Sequence, residues 1–151
     1  MAAWSSLVSP EKPTIDQKGC QYLPHVMVVN PNQRFKVINS DPILHNVHPM
    51  PAAGSPNREW NKSQSSIEDA WQAPEVAIHV KCNIHPWMSG YMVVVQGPHA
   101  VTNEKGSFRI GNVPPGTYTL TAWQETYGSQ SQKITVTSGK PTTVNFTFKT
   151  K

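Results

Sequence analysis

The residues best suited to chemistry are Cys82-Asn83-Ile84-His85-Pro86-Trp87-Met88. They put a thiolate, an imidazole and a thioether at Cys-x-x-His-x-x-Met spacing. Soft sulfur ligands combined with imidazole select copper, and two histidines with one cysteine and a weak axial methionine make a one-electron copper centre. Such a centre needs one further histidine. His45, in Leu44-His45-Asn46-Val47-His48, is the natural donor from elsewhere in the chain. The expected ligand set is therefore His45, Cys82, His85 and Met88, holding one copper per chain that alternates between Cu(I) and Cu(II).

The remaining candidates read more simply. His48 lies three residues after His45 and is expected to be structural or at the surface. His79 alternates with Val80 and should face solvent, and His99 should lie at the surface. Met50 and Met92 are thioethers without ligand spacing. Trp60, Trp71 and Trp123 read as packing residues, whereas Trp87 sits inside the ligand loop and suits an apolar docking patch. Cys20 has several open roles: a free thiol, a partner of another chain, or a ligand of a second site with His25. A Cys20–Cys82 disulfide is the main rival to the copper reading, because it would consume the thiolate. There is no Ser-His-Asp constellation, phosphate-cradling glycine loop or Cys-x-x-Cys pair, so the chain is expected not to be an enzyme.

The elements that must position these residues are strands. Hydrophobic residues make up 37% of the 151 positions and charged residues 15%, with 14 prolines and 9 glycines. That turn-rich, low-charge composition fits an all-β chain of the periplasm or the exterior. The 13 Lys and Arg against 9 acids give a net charge of +4, which suits an acidic partner. The basic residues are not clustered, so nucleic acid is not an expected partner. No apolar run is long enough to span a membrane, and the first residues lack the pattern of a signal peptide.

Residues 1–18 read as an N-terminal tail. Strands are expected over 25–29, 34–39, 76–82 and 91–95, and 40–74 reads as mostly loop, with 63–73 either a short helix or an irregular strand. In 76–82, Val76, Ile78, Val80 and Cys82 share one face, so Cys82 ends a strand pointing into the core. A change of character near Gly97-Pro98 opens a second β-unit, with a hairpin over 100–110 and strands over 118–123, 132–136 and 143–148. The expected division is a tail over 1–18, a first domain over 19–96 and a second over 97–151.

The ligand loop, together with His45-Asn46-Val47-His48 and Tyr22-Leu23-Pro24, resembles the cupredoxins, the blue-copper family, in its amicyanin-like form with a short ligand loop. The resemblance covers about residues 20–96. It implies a Greek-key β-sandwich and carries the ligand roles onto His45, Cys82, His85 and Met88, with Asn46 tying the two ligand loops together. It also implies electron transfer with a redox protein such as a cytochrome or a redox enzyme. The alternative is a copper-binding carrier or a structural subunit of a larger extracytoplasmic assembly. Residues 101–108 and Val113-Pro114-Pro115-Gly116-Thr117-Tyr118 resemble carboxypeptidase-regulatory or transthyretin-like modules, small β-sandwiches that are usually structural.

Overall fold

The structure is a computed structural model that describes residues 12–150. It divides into two compact units, one running to Arg109 and one over Ile110–Lys151.

The first unit holds eight strands in two four-stranded sheets. One sheet contains β1 (Thr14–Gln17), β2 (Tyr22–Leu23), β4 (Phe35–Asn39) and β6 (Ser66–Asp69), in the order β2-β1-β4-β6. The other contains β3 (Val26–Val29), β5 (His48–Met50), β7 (Glu75–Lys81) and β8 (Ser89–Val94), in the order β3-β8-β7-β5. Each sheet has one parallel pair, β1 with β4 and β3 with β8. The alternation expected from the sequence is present, except that Val76, expected to share the inward face of Ile78, Val80 and Cys82, is 51% exposed because the ladder register shifts between Glu75 and Ile78. Phe35 and Val37 of β4, Ile78 and Val80 of β7, and Met92 and Val94 of β8 are all 0–1% exposed. They join Ile15, Tyr22, Met27, Val29 and Ile67 in one core cluster fed by both sheets. Burying each such side chain is worth roughly 1.5–3 kcal/mol, so this cluster is the main stabilising element of the frame around the ligand residues.

Two elements differ from the sequence reading, and a third falls on one of its two alternatives, the strand. The segment expected as a tail over 1–18 contains β1, whose Ile15 is 1% exposed; residues 1–11 lie outside the described part. The strand is four residues long and its second inward residue is polar Gln17, so its period is hard to see. Within 63–73 the chain forms the strand β6. β5 lies in a stretch expected to be loop, because Pro49 argues against a strand. Proline is tolerated at a sheet edge, where no ladder hydrogen bond is required, and β5 is the edge strand of its sheet.

Gly90 in β8 answers a close approach. A side chain there would begin 3.2 Å from the His25 carbonyl oxygen and 3.3 Å from Tyr22 Cβ. The strand that follows the ligand loop can therefore lie tightly against Tyr22.

The second unit is simpler than the expected sandwich. It is one antiparallel pair, β9 (Gly116–Gln124) with β10 (Gly128–Val136), in continuous register from Gly116↔Val136 to Gln124↔Gly128. Residues 143–148 alternate in burial as a strand would, yet they form no ladder. Instead the Gln130 and Gln132 side-chain amides donate to the carbonyls of Thr147 and Asn145 at 2.8 and 2.6 Å. The segment expected as a hairpin over 100–110 is a turn closed by the Asn103 N–H to the Ser107 carbonyl at 2.9 Å. With no helix and all its sheets antiparallel or mixed, the described chain is all-β.

Candidate metal centre

The strand register brings the two ligand-bearing segments together. β5 pairs antiparallel with β7, with His48 opposite Lys81. Residues just before β5 therefore lie beside residues just after β7, so His45 meets Cys82 although 37 positions separate them in sequence. The Cys82 loop is closed on itself: Cys82 N–H donates to the Met88 carbonyl at 3.4 Å, and Met88 N–H to the His85 carbonyl at 3.0 Å. Met88 is carried inward by this closure and is 1% exposed.

His45, Cys82 and His85 converge, with their ligand atoms all within 4.8 Å of one another. The two Nδ1 atoms lie 3.0 Å apart, and Cys82 Sγ lies 3.8 Å from His85 Nδ1. His45 and Cys82 are 1% and 2% exposed, whereas His85 is half-buried. Two imidazole nitrogens and a sulfur thus point at one buried spot, which is the donor set a soft-to-intermediate metal such as copper requires. Both cysteines are free thiols, so Cys82 is not tied up in a disulfide with Cys20.

Asn46 ties the segments together. Its Oδ1 accepts from the Cys82 thiol at 3.2 Å, from Asn83 N–H at 2.6 Å and from Ile84 N–H at 3.4 Å. Its own amide donates to Asn61 Oδ1 at 2.8 Å. Behind it, the buried Tyr22 hydroxyl donates to the Asn46 carbonyl at 2.6 Å. Burial, and secondarily the charge of Cys82, push the Tyr22 hydroxyl pKa up, so it remains a donor. Val47 adds a reciprocal bridge to Lys62 at 2.8 and 3.0 Å.

Asp41 was not singled out by the sequence. Its Oδ2 is 2.7 Å from His45 Nε2, the ring nitrogen that faces away from His85. The Cys20 N–H, the His45 ring and the Gly19 N–H hold its carboxyl down at about 2. An acid four residues before a histidine in a loop has no periodic signature, so only the fold reveals this pair. A carboxylate on the outer nitrogen fixes the ring's tautomer and orientation.

The other histidines take supporting contacts. His48 bonds Asn83 Oδ1 at 3.3 Å and pairs with Glu59. His79 is half-buried, stacked on Tyr91 at 5.0 Å, with Nε2 2.6 Å from Ser89 Oγ. His99 is exposed. His25 sets its ring against Tyr91 rather than joining Cys20, which groups with Asp41 and His45. Trp71 is core, stacked between Phe35 and Trp60. Around the ligands, Ile43, Leu44, Ile84 and Trp87 are 46%, 61%, 49% and 66% exposed, and the Trp87 ring lies 5.1 Å from that of His85.

Comparison with known proteins agrees with this architecture. Residues 88–149 match the carboxypeptidase regulatory-like domain. The start of that match overlaps β8, which is hydrogen-bonded into the first unit. No curated protein matches the chain. Among solved structures, a copper-containing nitrite reductase from Thermus scotoductus SA-01 superposes with a TM-score of 0.50 at 17% identity. The match covers 59% of this chain and 23% of that enzyme, so this chain spans about a quarter of the enzyme's length. A copper(I) form of an amicyanin variant gives 0.48 at 19% identity, over 61% of this chain and 90% of its own. A purple cupredoxin from Nitrosopumilus maritimus gives 0.46 at 17%, over 56% and 100%. The chain thus shares its fold with part of the copper-containing nitrite reductase, and its residues 88–149 match the carboxypeptidase regulatory-like domain.

Proposed function

We propose that the chain is a type 1 copper protein of the periplasm or the exterior, carrying one electron between redox partners, with His45, Cys82, His85 and Met88 as the ligands. The observation that carries this reading is the convergence of His45 Nδ1, His85 Nδ1 and Cys82 Sγ on one buried spot. When bound there, copper supplies a one-electron couple suited to a thiolate and two imidazoles. The chain's own residues do the rest. Asn46 accepts from the Asn83 and Ile84 N–H groups, which would hold the cysteine loop in place when Cys82 gives up its thiol proton to the metal. Asp41 holds His45 from behind. Met88 is buried within the loop closed by its own hydrogen bonds and would supply a weak thioether ligand. A frame held this firmly changes little between oxidation states, which keeps transfer fast.

The half-buried His85 supplies a route to the surface, rimmed by exposed Trp87, Ile84 and Leu44. A small apolar rim on a chain of net charge +4 suits brief docking to an acidic redox protein, such as a cytochrome or a redox enzyme. No helix among the described residues is long and apolar enough to cross a membrane. No nucleic-acid partner and no catalytic turnover are part of this reading.

The test is to add Cu(II) to reduced, metal-free protein and record the visible spectrum, then to run voltammetry. The reading expects an intense charge-transfer band at one copper per chain, absent in Cys82→Ser, and a reversible one-electron wave. A band without a reversible wave would instead indicate copper carriage without electron transfer. No band would overturn the copper reading.

A further inference from the structure

Cys20 occupies an unusual position for its residue type. The link between β1 and β2 is a tight turn, closed by Lys18 N–H to the Gln21 carbonyl at 3.0 Å and Gln21 N–H to the Lys18 carbonyl at 3.2 Å. Its two central residues, Gly19 and Cys20, both have positive φ, at 63° and 54°. Hairpin turns of this hand favour glycine or asparagine at those positions, and cysteine fits them poorly. The turn therefore gives no reason for a cysteine. Its surroundings do. Cys20 Sγ, an Asp41 carboxylate oxygen and a His45 ring nitrogen lie within 4.8 Å of one another.

The three groups come from two separate loops and are fixed in place. Asp41 Oδ1 accepts from Gly19 N–H at 2.8 Å, and its Oδ2 accepts from Cys20 N–H at 3.0 Å, so the carboxylate is anchored to the turn that carries the thiol. The same Oδ2 lies 2.7 Å from His45 Nε2. The His45 side chain is fully buried, that of Asp41 is 12% exposed, and Cys20 is half-buried, so the group opens to solvent on the Cys20 side. Because His45 turns Nδ1 toward His85 and Nε2 toward Asp41, its two nitrogens serve two different groups.

We propose that Cys20, Asp41 and His45 form a second metal site, which takes a zinc-class divalent cation and shares the His45 ring with the first. Thiolate, imidazole and carboxylate are zinc's usual ligands, and three of them leave a coordination position open to water. Binding releases the Cys20 thiol proton to solvent, and also the Nε2 proton where Nδ1 already serves the first site. The shared form rests on the copper reading given above, whereas the Cys20 site does not.

The test uses Co(II), a spectroscopic stand-in for zinc, on the full chain carrying Cys82→Ser, which leaves Cys20 as the one thiol. Circular dichroism confirms folding of each variant. The expected result is one equivalent of Co(II) bound with a thiolate-to-cobalt band in the near ultraviolet. Cys20→Ser in the same background should remove the band, and Asp41→Asn should weaken binding by at least about tenfold. A folded Cys82→Ser protein with no thiolate band would overturn the proposal and leave Asp41 as a support for His45 alone. In the wild type loaded with copper and then zinc, elemental analysis should find two metals per chain, and Cys20→Ser should lower this to one with the visible band intact. One metal per wild-type chain in protein that shows the visible copper band would also overturn it. A cobalt band in Cys82→Ser without any visible copper band in the wild type would uphold this site while defeating the copper reading.

Discussion

The two units use the same kind of strand to different ends. In the first, Val29, Phe35, Val37, Ile78, Met92 and Val94 are 0% exposed, because two sheets each offer an inward face to one core. In the second, a single two-stranded ladder has no second layer, and none of its described residues is buried. The second unit has the longer strands of the two, nine residues each, and still builds no core. Ladder length gives a hairpin its register; burial needs a facing layer. Ligand atoms held to fractions of an ångström need such a layer, and the candidate centre lies in the unit that has it.

The largest effect should come from breaking that core. Phe35 is fully buried and stacks on Trp71 at 5.7 Å. Phe35→Ala should cost about 3–5 kcal/mol in denaturant unfolding followed by tryptophan fluorescence. Leu120→Ala, at a half-buried position of β9, should cost about 1 kcal/mol or less in the same assay. Equal losses would contradict the contrast between the units.

Next comes Asn46→Ala. It strands the Asn83 and Ile84 N–H groups of the cysteine loop and the buried Cys82 thiol. Each stranded polar group costs about 1–3 kcal/mol, and Cu(II) affinity measured by competition should fall about 10–100-fold. Gln130→Ala, which removes an exposed amide contact in the second unit, should leave that affinity unchanged.

Much of this frame is legible in the chain, because the central strands alternate cleanly and Cys82 falls on the inward phase of β7. The ligand spacing from Cys82 to Met88 is local, so it can be read directly. What escapes is whatever depends on distant pairing or on exceptions to pattern. β1 hides because its inward residues are Ile15 and a polar Gln17, whose amide nitrogen donates to the Ile38 carbonyl at 3.2 Å. β5 hides because its Pro49 is allowed only by an edge position. Asp41 and the Cys20 turn hide because loops carry no period, and their meeting at His45 follows from β1 lying parallel to β4. The alternation over 143–148 misleads in the other direction, since period two reports a half-buried extended segment whether or not a ladder forms.

Tyr22→Phe sharpens the comparison at smaller scale. The hydroxyl lost is the one that donates to the Asn46 carbonyl. The cost should be about 1 kcal/mol or slightly more, since a buried acceptor loses its donor while the ring still fills the core. Metal stoichiometry should be unchanged, because the carbonyl lies behind the ligands. A loss of metal binding in a folded Tyr22→Phe protein would mean that Tyr22 acts on the site directly and not through Asn46.

The smallest effect belongs to the outer edge of the first unit. Lys12, just before β1, reaches Glu68 on β6 at 3.0 Å, and Arg34 approaches the same carboxylate at 3.8 Å. Both β1 and β6 flank β4, so the cluster clamps three neighbouring strands from outside. The hydrogen bond from Lys12, and then its charge, lower the Glu68 pKa from the ordinary 4.5. A carboxyl with a lowered folded pKa contributes stability that is fully present above its unfolded value and is lost as pH falls through the folded one. Melting temperature against pH should therefore show wild type slightly above Glu68→Gln at neutral pH, with the two curves converging below about 4.5 as Glu68 takes up its proton. High salt should shrink the neutral-pH gap, since the pair is exposed to solvent. Curves that stay parallel down to low pH would show that the carboxylate's charge contributes nothing, and that the first unit's stability over the second comes from its buried core alone.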